Sequence, residues 1–175
     1  MKKKANGFTL IELLVVIAIV ALLVSIVLPA LSRGLGTAKS VVCLSNLKQL
    51  VSGFHLYAED NDGKLPGEEI EMMWEELLHP YLNERRVYAC PADTDAAALD
   101  AGISYAWRDT LAVDDPASSF SGQTLDTVSR GELVLVFESI PGWHGDAIIQ
   151  AGAVDSSARR YDHVEFYRNL AWTVQ

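Results

Sequence analysis

Positive charge is scarce in this chain: 14 lysines and arginines stand against 23 aspartates and glutamates, for a formal net charge of -9. Without Lys2, Lys3 and Lys4 the balance would be 11 basic against 23 acidic residues. Such a surface repels phosphates, so no nucleic-acid partner is expected over a broad face, whatever the small basic pair Arg159 and Arg160 does locally. Cysteine is scarcer still. Cys43 and Cys90 are too few for a disulfide scaffold and have too few Cys or His neighbours for a structural zinc site. One bridge between them remains open, and it gains weight only if the chain leaves the cytoplasm, where disulfides persist. No G-x-S-x-G, H-E-x-x-H or P-loop signature occurs, and pairs of acids abound only because the chain is acidic. No catalytic residue, metal or cofactor is therefore expected. With 175 residues, 50% of them hydrophobic, the chain suffices for one compact domain and a membrane segment, not for two large domains.

The N-terminus supplies that membrane segment. From Phe8 to Leu31 the run FTLIELLVVIAIVALLVSIVLPAL carries a single charge, Glu12, in 24 positions. At about 1.5 Å per helical residue it is long enough to cross a ~30 Å hydrocarbon core. Lys2, Lys3 and Lys4 precede it and the next basic residue is Arg33, which predicts a cytoplasmic N-terminus and an exported remainder. An ordinary cleaved secretory signal is shorter, with an apolar stretch of about 7–15 residues. A plain signal anchor fits the length but gives no reason to keep Glu12, since a carboxylate costs roughly 2.5–3.5 kcal/mol on insertion scales at mid-helix. A buried helix of a soluble protein would show a polar face, and this run has none.

Gly7-Phe8-Thr9-Leu10-Ile11-Glu12, behind a lysine-rich leader and ahead of the apolar run, closely resembles the processing site of type IV prepilins and type II secretion pseudopilins. The resemblance implies cleavage between Gly7 and Phe8 by a membrane prepilin peptidase that also methylates the new N-terminus at Phe8. Physically, Gly7 leaves backbone room for a protease. Glu12 places a carboxylate within about a turn of the freed amine, where it can pair with the amine of an adjacent subunit, offsetting desolvation and fixing register.

Beyond the apolar run, Pro29, Gly34 and Gly36 predict a kink or loosened turn over 29–36. Helix resumes from Ala38 to about Tyr57, where Cys43, Leu47, Leu50, Phe54 and Tyr57 recur at helical spacing, and it stops at Glu59-Asp60-Asn61-Asp62-Gly63. In EEIEMMWEELLHPYL, the residues Ile70, Trp74, Leu77, Leu78 and Tyr81 predict a short amphipathic helix. Ile103–Trp107 and Leu133–Phe137 read as strands, as do the segments around Ala147–Gln150 and Val164–Tyr167. The stretch from Asp109 to Thr127 reads as a surface loop.

The segments C-x-x-N-L-K-Q-L at 43–50, Tyr57-Ala58-Glu59-Asp60-Asn61, Leu65-Pro66 and Cys90-Pro91 with Asp93 resemble a bacterial subgroup of pseudopilin-like proteins. That subgroup often ends in a His-Gly segment and an Asp-Gly-His-Val hairpin. Trp143-His144-Gly145 and Asp162-His163-Val164 look like remnants of these, although the glycine between Asp162 and His163 is missing and Asp146 replaces a glycine. A bridge from Cys43 to Cys90 would tie the long helix to the head; two independent buried thiols are the alternative, and export favours the bridge. His144, Asp146, Asp162 and His163 invite a metal-site reading, but adjacent Asp162 and His163 would point to opposite faces of a strand. Hydrogen bonding is the simpler role for them.

The expected fold is α+β: a long N-terminal helix, its first half transmembrane, carrying a small head with one or two short helices and an antiparallel sheet. The expected organisation is a leader over 1–7, a transmembrane half-helix over 8–31, a soluble half-helix over 32–61 and a head over 62–175. The implied function is structural. The chain would be a subunit that polymerises into a filament of a type II secretion-like machine in the bacterial inner membrane, its head periplasmic or extracellular. Its partners would be the peptidase/methyltransferase and other pilin or pseudopilin subunits. An extracellular type IV pilus subunit is the alternative within the fold. A signal-anchored periplasmic binding or enzymatic domain is the alternative of another class, and in it His144 and His163 would matter while Glu12 would not.

Overall fold

The computed structural model describes residues 9–67, 73–82, 84–93, 102–110, 119–128, 132–140, 143–144 and 148–170. The chain divides into two compact units, Met1–Thr37 and Ala38–Gln175. One helix, α1 (Leu10–Asp60), contributes to both.

In the first unit α1 is apolar on every side, and all its large hydrophobic side chains from Leu10 to Leu31 are exposed. A helix of this kind has no face to turn to water and needs lipid or other apolar helices around it. Two of its hydroxyls are satisfied within the helix: Ser25 Oγ donates to Leu22 O and Thr37 Oγ1 to Arg33 O. The helical backbone runs through Pro29, Gly34 and Gly36 as part of the single helix α1, so proline and the two glycines do not end the helix. An interior proline forfeits one hydrogen bond and costs about 3 kcal/mol. Cooperative propagation of the helix through the turns on either side offsets that.

In the second unit α1 buries Cys43, Asn46, Leu47, Leu50, Val51, Phe54 and Tyr57 as one stripe. The helix ends in a Schellman-type turn: Gly63 N–H donates to Ala58 O at 2.8 Å, with Asp62 in the left-handed region at φ 56°. The short helix α2 (Trp74–Leu78) follows and sets Trp74 against Phe54, ring centroids 5.8 Å apart. Residues 68–72, including Ile70, lie outside the described residues.

Four strands form an antiparallel meander in the order β1 (Tyr105–Trp107), β2 (Val134–Glu138), β3 (Ile148–Ala153), β4 (Ala158–Asp162). Trp107 pairs with Val136, Phe137 with Ala151 and Ile149 with Tyr161. All five residues of β2 are buried, which alternation alone would not produce, because both sheet faces are covered. Leu133, Leu135 and Val136 belong to the core that includes the α1 stripe. On the opposite side, Val134, Phe137, Ile149, Ala151 and Tyr161 pack with Phe166 of a C-terminal helix, α3 (His163–Leu170).

Helix α3 corrects the strand expected at Val164–Tyr167. Asp162 caps it, its Oδ1 accepting from Glu165 N–H at 2.8 Å, the geometry of an N-cap. At its other end Arg108, itself buried, donates to Asn169 O at 3.3 Å and Leu170 O at 2.8 Å, capping the terminal carbonyls with a cation.

The approach of α1 to the sheet depends on Gly152. A Cβ there would fall 2.7 Å from Val51 Cγ2 and 3.2 Å from Leu47 O. Gly152→Ala is therefore expected to destabilise the head by about 1–3 kcal/mol through overpacking, read as a lower denaturant midpoint. An unchanged midpoint would mean that helix and sheet separate without strain.

Candidate functional site

Two places gather the residues singled out by the sequence. The first is the start of α1. Thr9 N–H and Thr9 Oγ1 donate to Glu12 Oε2 at 2.8 and 2.7 Å, and Glu12 N–H donates back to Thr9 Oγ1 at 3.3 Å. This reciprocal arrangement is a capping box: the threonine starts the helix and the glutamate satisfies its backbone donor. The spacing Thr9-x-x-Glu12 carried that signal, and a reading of Glu12 as an intersubunit partner alone passes over it. Gly7 and Phe8, the expected processing pair, lie outside the described residues.

The second place is in the head. Cys43 of α1 and Cys90 are joined in a disulfide, with Cα atoms 5.1 Å apart, linking positions 47 residues distant. The neighbourhood of Cys90 is fixed by hydrogen bonds. Cys90 N–H donates to Ser104 Oγ at 2.9 Å, Ser104 Oγ donates to Asp93 Oδ2 at 2.7 Å, and Asn46 Nδ2 donates to Ala89 O at 3.0 Å. Asp93, which the C-P-x-D pattern picked out, is buried and holds the turn after Cys90.

Beside the disulfide lie two groups that sequence reasoning did not place there. His144 Nε2 is 3.3 Å from Cys90 Sγ and 3.0 Å from Glu138 Oε1, and the two side chains are 2% and 0% exposed. Glu138 is the last residue of β2, and its other oxygen accepts from Gln150 N–H of β3 at 3.0 Å. Beyond it Gln150 Nε2 donates to Ser40 Oγ at 2.6 Å, and Arg160 of β4 donates to the same hydroxyl. Burial pushes the Glu138 carboxyl up to about 7, against the Gln150 amide and the Arg160 charge, and burial with Arg160 pushes His144 down. Although the 3.0 Å distance qualifies as an ion pair, both shifts favour neutral partners. Neither group has water to solvate a charge, so burial holds both toward their neutral forms.

A pH dependence follows. Because the folded state holds the Glu138 proton more tightly than the unfolded chain, that contribution is complete below about pH 4.5 and is lost as pH rises through about 7. His144, 3.0 Å from Glu138, is coupled to it, so the comparison of wild type with Glu138→Gln is made in a His144→Gln background as well. The stability advantage of wild type over Glu138→Gln is expected to shrink by roughly 2 kcal/mol between pH 4.5 and 8. Denaturant unfolding across that range checks it, and a pH-independent difference would show Glu138 titrating normally.

The structure does not bring the remaining histidine candidates together. Asp162 caps α3, and His163 opens that helix with its ring edge-on to Tyr167. Among the described residues neither joins a cluster of metal-ligating side chains. Asp146 lies outside the described residues.

Comparison with known proteins bears on the N-terminal segment. Residues 2–28 match the family model described as the prokaryotic N-terminal methylation motif. Over 60 residues the chain is 40% identical to the type IV wide pilus major component PilA4 of Thermus thermophilus, covering 34% of this chain and 46% of that one. The chain thus aligns with less than half the length of that relative. No solved structure matches. The chain thus combines a methylation motif at its start, a long apolar helix consistent with membrane anchoring, and an α+β head built on a four-stranded antiparallel sheet, and in part of its length it is similar to a type IV pilus component.

Proposed function

We propose that the chain is the precursor of a filament subunit, cut between Gly7 and Phe8, N-methylated at Phe8, and anchored in the inner membrane with its head outside the cytoplasm. The observation that carries this reading is the methylation motif leading directly into a helix whose large apolar side chains from Leu10 to Leu31 are all exposed. Such a surface is buried by lipid before assembly and by parallel helices after it. A prepilin peptidase/methyltransferase would process the chain, and other pilin or pseudopilin subunits would be its partners. The filament would be the short one of a type II secretion-like machine. A second reading, an extracellular type IV pilus, is favoured by the identity to a pilus major component.

The intact mass of the protein recovered from its native membrane tests the proposal. The mature chain should lack Met1 to Gly7 and carry one added methyl group. Recovery of the uncleaved chain would overturn it. Electron microscopy of cells expressing the protein separates the two readings: long surface filaments containing it support the pilus, and their absence together with a secretion defect on deletion supports the envelope machine.

A further inference from the structure

Four ligand atoms from distant parts of the sequence converge in the head: one each from Cys43, Cys90, Glu138 and His144, all within 4.8 Å of one another. A tetrahedral zinc site with normal bond lengths has ligand-to-ligand edges of about 3.3–3.8 Å. Cys90 Sγ to His144 Nε2, at 3.3 Å, and His144 Nε2 to Glu138 Oε1, at 3.0 Å, each fall about 0.3 Å short of their edges, a gap that small side-chain rotations close. Independent support comes from Glu138. Its Oε1 is buried and makes no hydrogen bond, although His144 Nε2 is only 3.0 Å away. The two atoms approach each other without aligning as donor and acceptor, as ligands aimed at a common centre do. The other oxygen is held by Gln150 N–H, which fixes the carboxylate's direction as the outer hydrogen bonds of a metal site do.

We propose that the dithiol form of the head, before Cys43 and Cys90 are oxidised, binds one zinc ion through these four atoms, and that oxidation to the disulfide expels it. Two thiolates with an imidazole and one carboxylate suit zinc and its mimic cobalt, not the all-oxygen shells of calcium or magnesium. Loading releases two thiol protons to solvent. In the reverse direction an oxidising disulfide takes the two sulfur electrons and two solvent protons and leaves as a dithiol, while the Cys43–Cys90 bond forms and the ion departs. The Cα atoms are 5.1 Å apart in the disulfide form, so side-chain rotation can part the sulfurs around an ion without rebuilding α1. The ion would hold helix and sheet together in a newly made head until the covalent bond replaces it. This goes beyond the role of filament subunit and does not depend on it.

The test uses the full chain in detergent, reduced with a phosphine in the absence of oxygen and titrated with cobalt. One equivalent should bind, with the thiolate charge-transfer band and the intense visible bands of tetrahedral cobalt, and far-UV circular dichroism should match that of the oxidised protein. The oxidised protein should bind none, and an oxidising disulfide should discharge the loaded protein. His144→Gln and Glu138→Gln should each weaken Kd by more than the ~10–100-fold that losing an outer hydrogen-bond partner costs a metal site. A reduced protein that takes up no cobalt overturns the proposal, whether it is folded or unfolded. So do equal binding by the oxidised protein and unchanged affinity in both variants.

Discussion

Replacing Cys43 and Cys90 together by alanine is expected to destabilise the head by about 4 kcal/mol in metal-free buffer. The bond closes a loop between positions 47 apart, and the chain-entropy model assigns roughly 4 kcal/mol to a loop of that length. Both residues are buried, so the two lost sulfur atoms add a small packing deficit. Unfolding by denaturant, compared with the oxidised wild type, checks the figure. The oxidised wild type should also show the smaller denaturant slope expected when its unfolded state is the more confined and exposes less surface. A loss below about 1 kcal/mol would mean that residual structure already constrains this loop in the unfolded chain.

The disulfide also marks how far the sequence could be read. The bridge joins the inward stripe of a strongly periodic helix to a cysteine in a head that the N-terminal charge pattern assigns to the outside, and both signals are local in sequence. Its environment is not. Glu138 and His144 reach Cys90 only because β2 ends beside β3 with one register, and no spacing in the sequence records that placement. The C-terminal helix escaped for another reason. Val164-Glu165-Phe166-Tyr167 alternates and is rich in strand formers, so propensity pointed to a strand, while the tertiary need to cover the outer face of the sheet with Phe166 decided for a helix. Asp162-x-x-Glu165 was the available signal. The same spacing recurs at Thr9-x-x-Glu12, where a charge in a membrane run drew attention away from a simple helix start.

The capping box sharpens what should happen on neutralising Glu12. Glutamine keeps the size and the amide oxygen, so it can still accept from Thr9 N–H and the helix start should survive. What it loses is the negative charge, and that charge is the only one available along the apolar run to meet the Phe8 amine of a neighbouring subunit. An amine left unpaired in a low-dielectric bundle of helices carries the penalty of a broken buried pair, about 3–5 kcal/mol, far above that of an exposed one. Glu12→Gln is therefore expected to be inserted and cut after Gly7 as wild type is, yet to weaken each subunit contact more than about 100-fold and so to leave filaments sparse or absent. Cross-linking between processed subunits is the readout, with intact mass confirming that cleavage is normal. Glu12→Gln protein that is processed and polymerises like wild type would restrict Glu12 to capping its own helix, and assembly would then rest on the apolar surface alone.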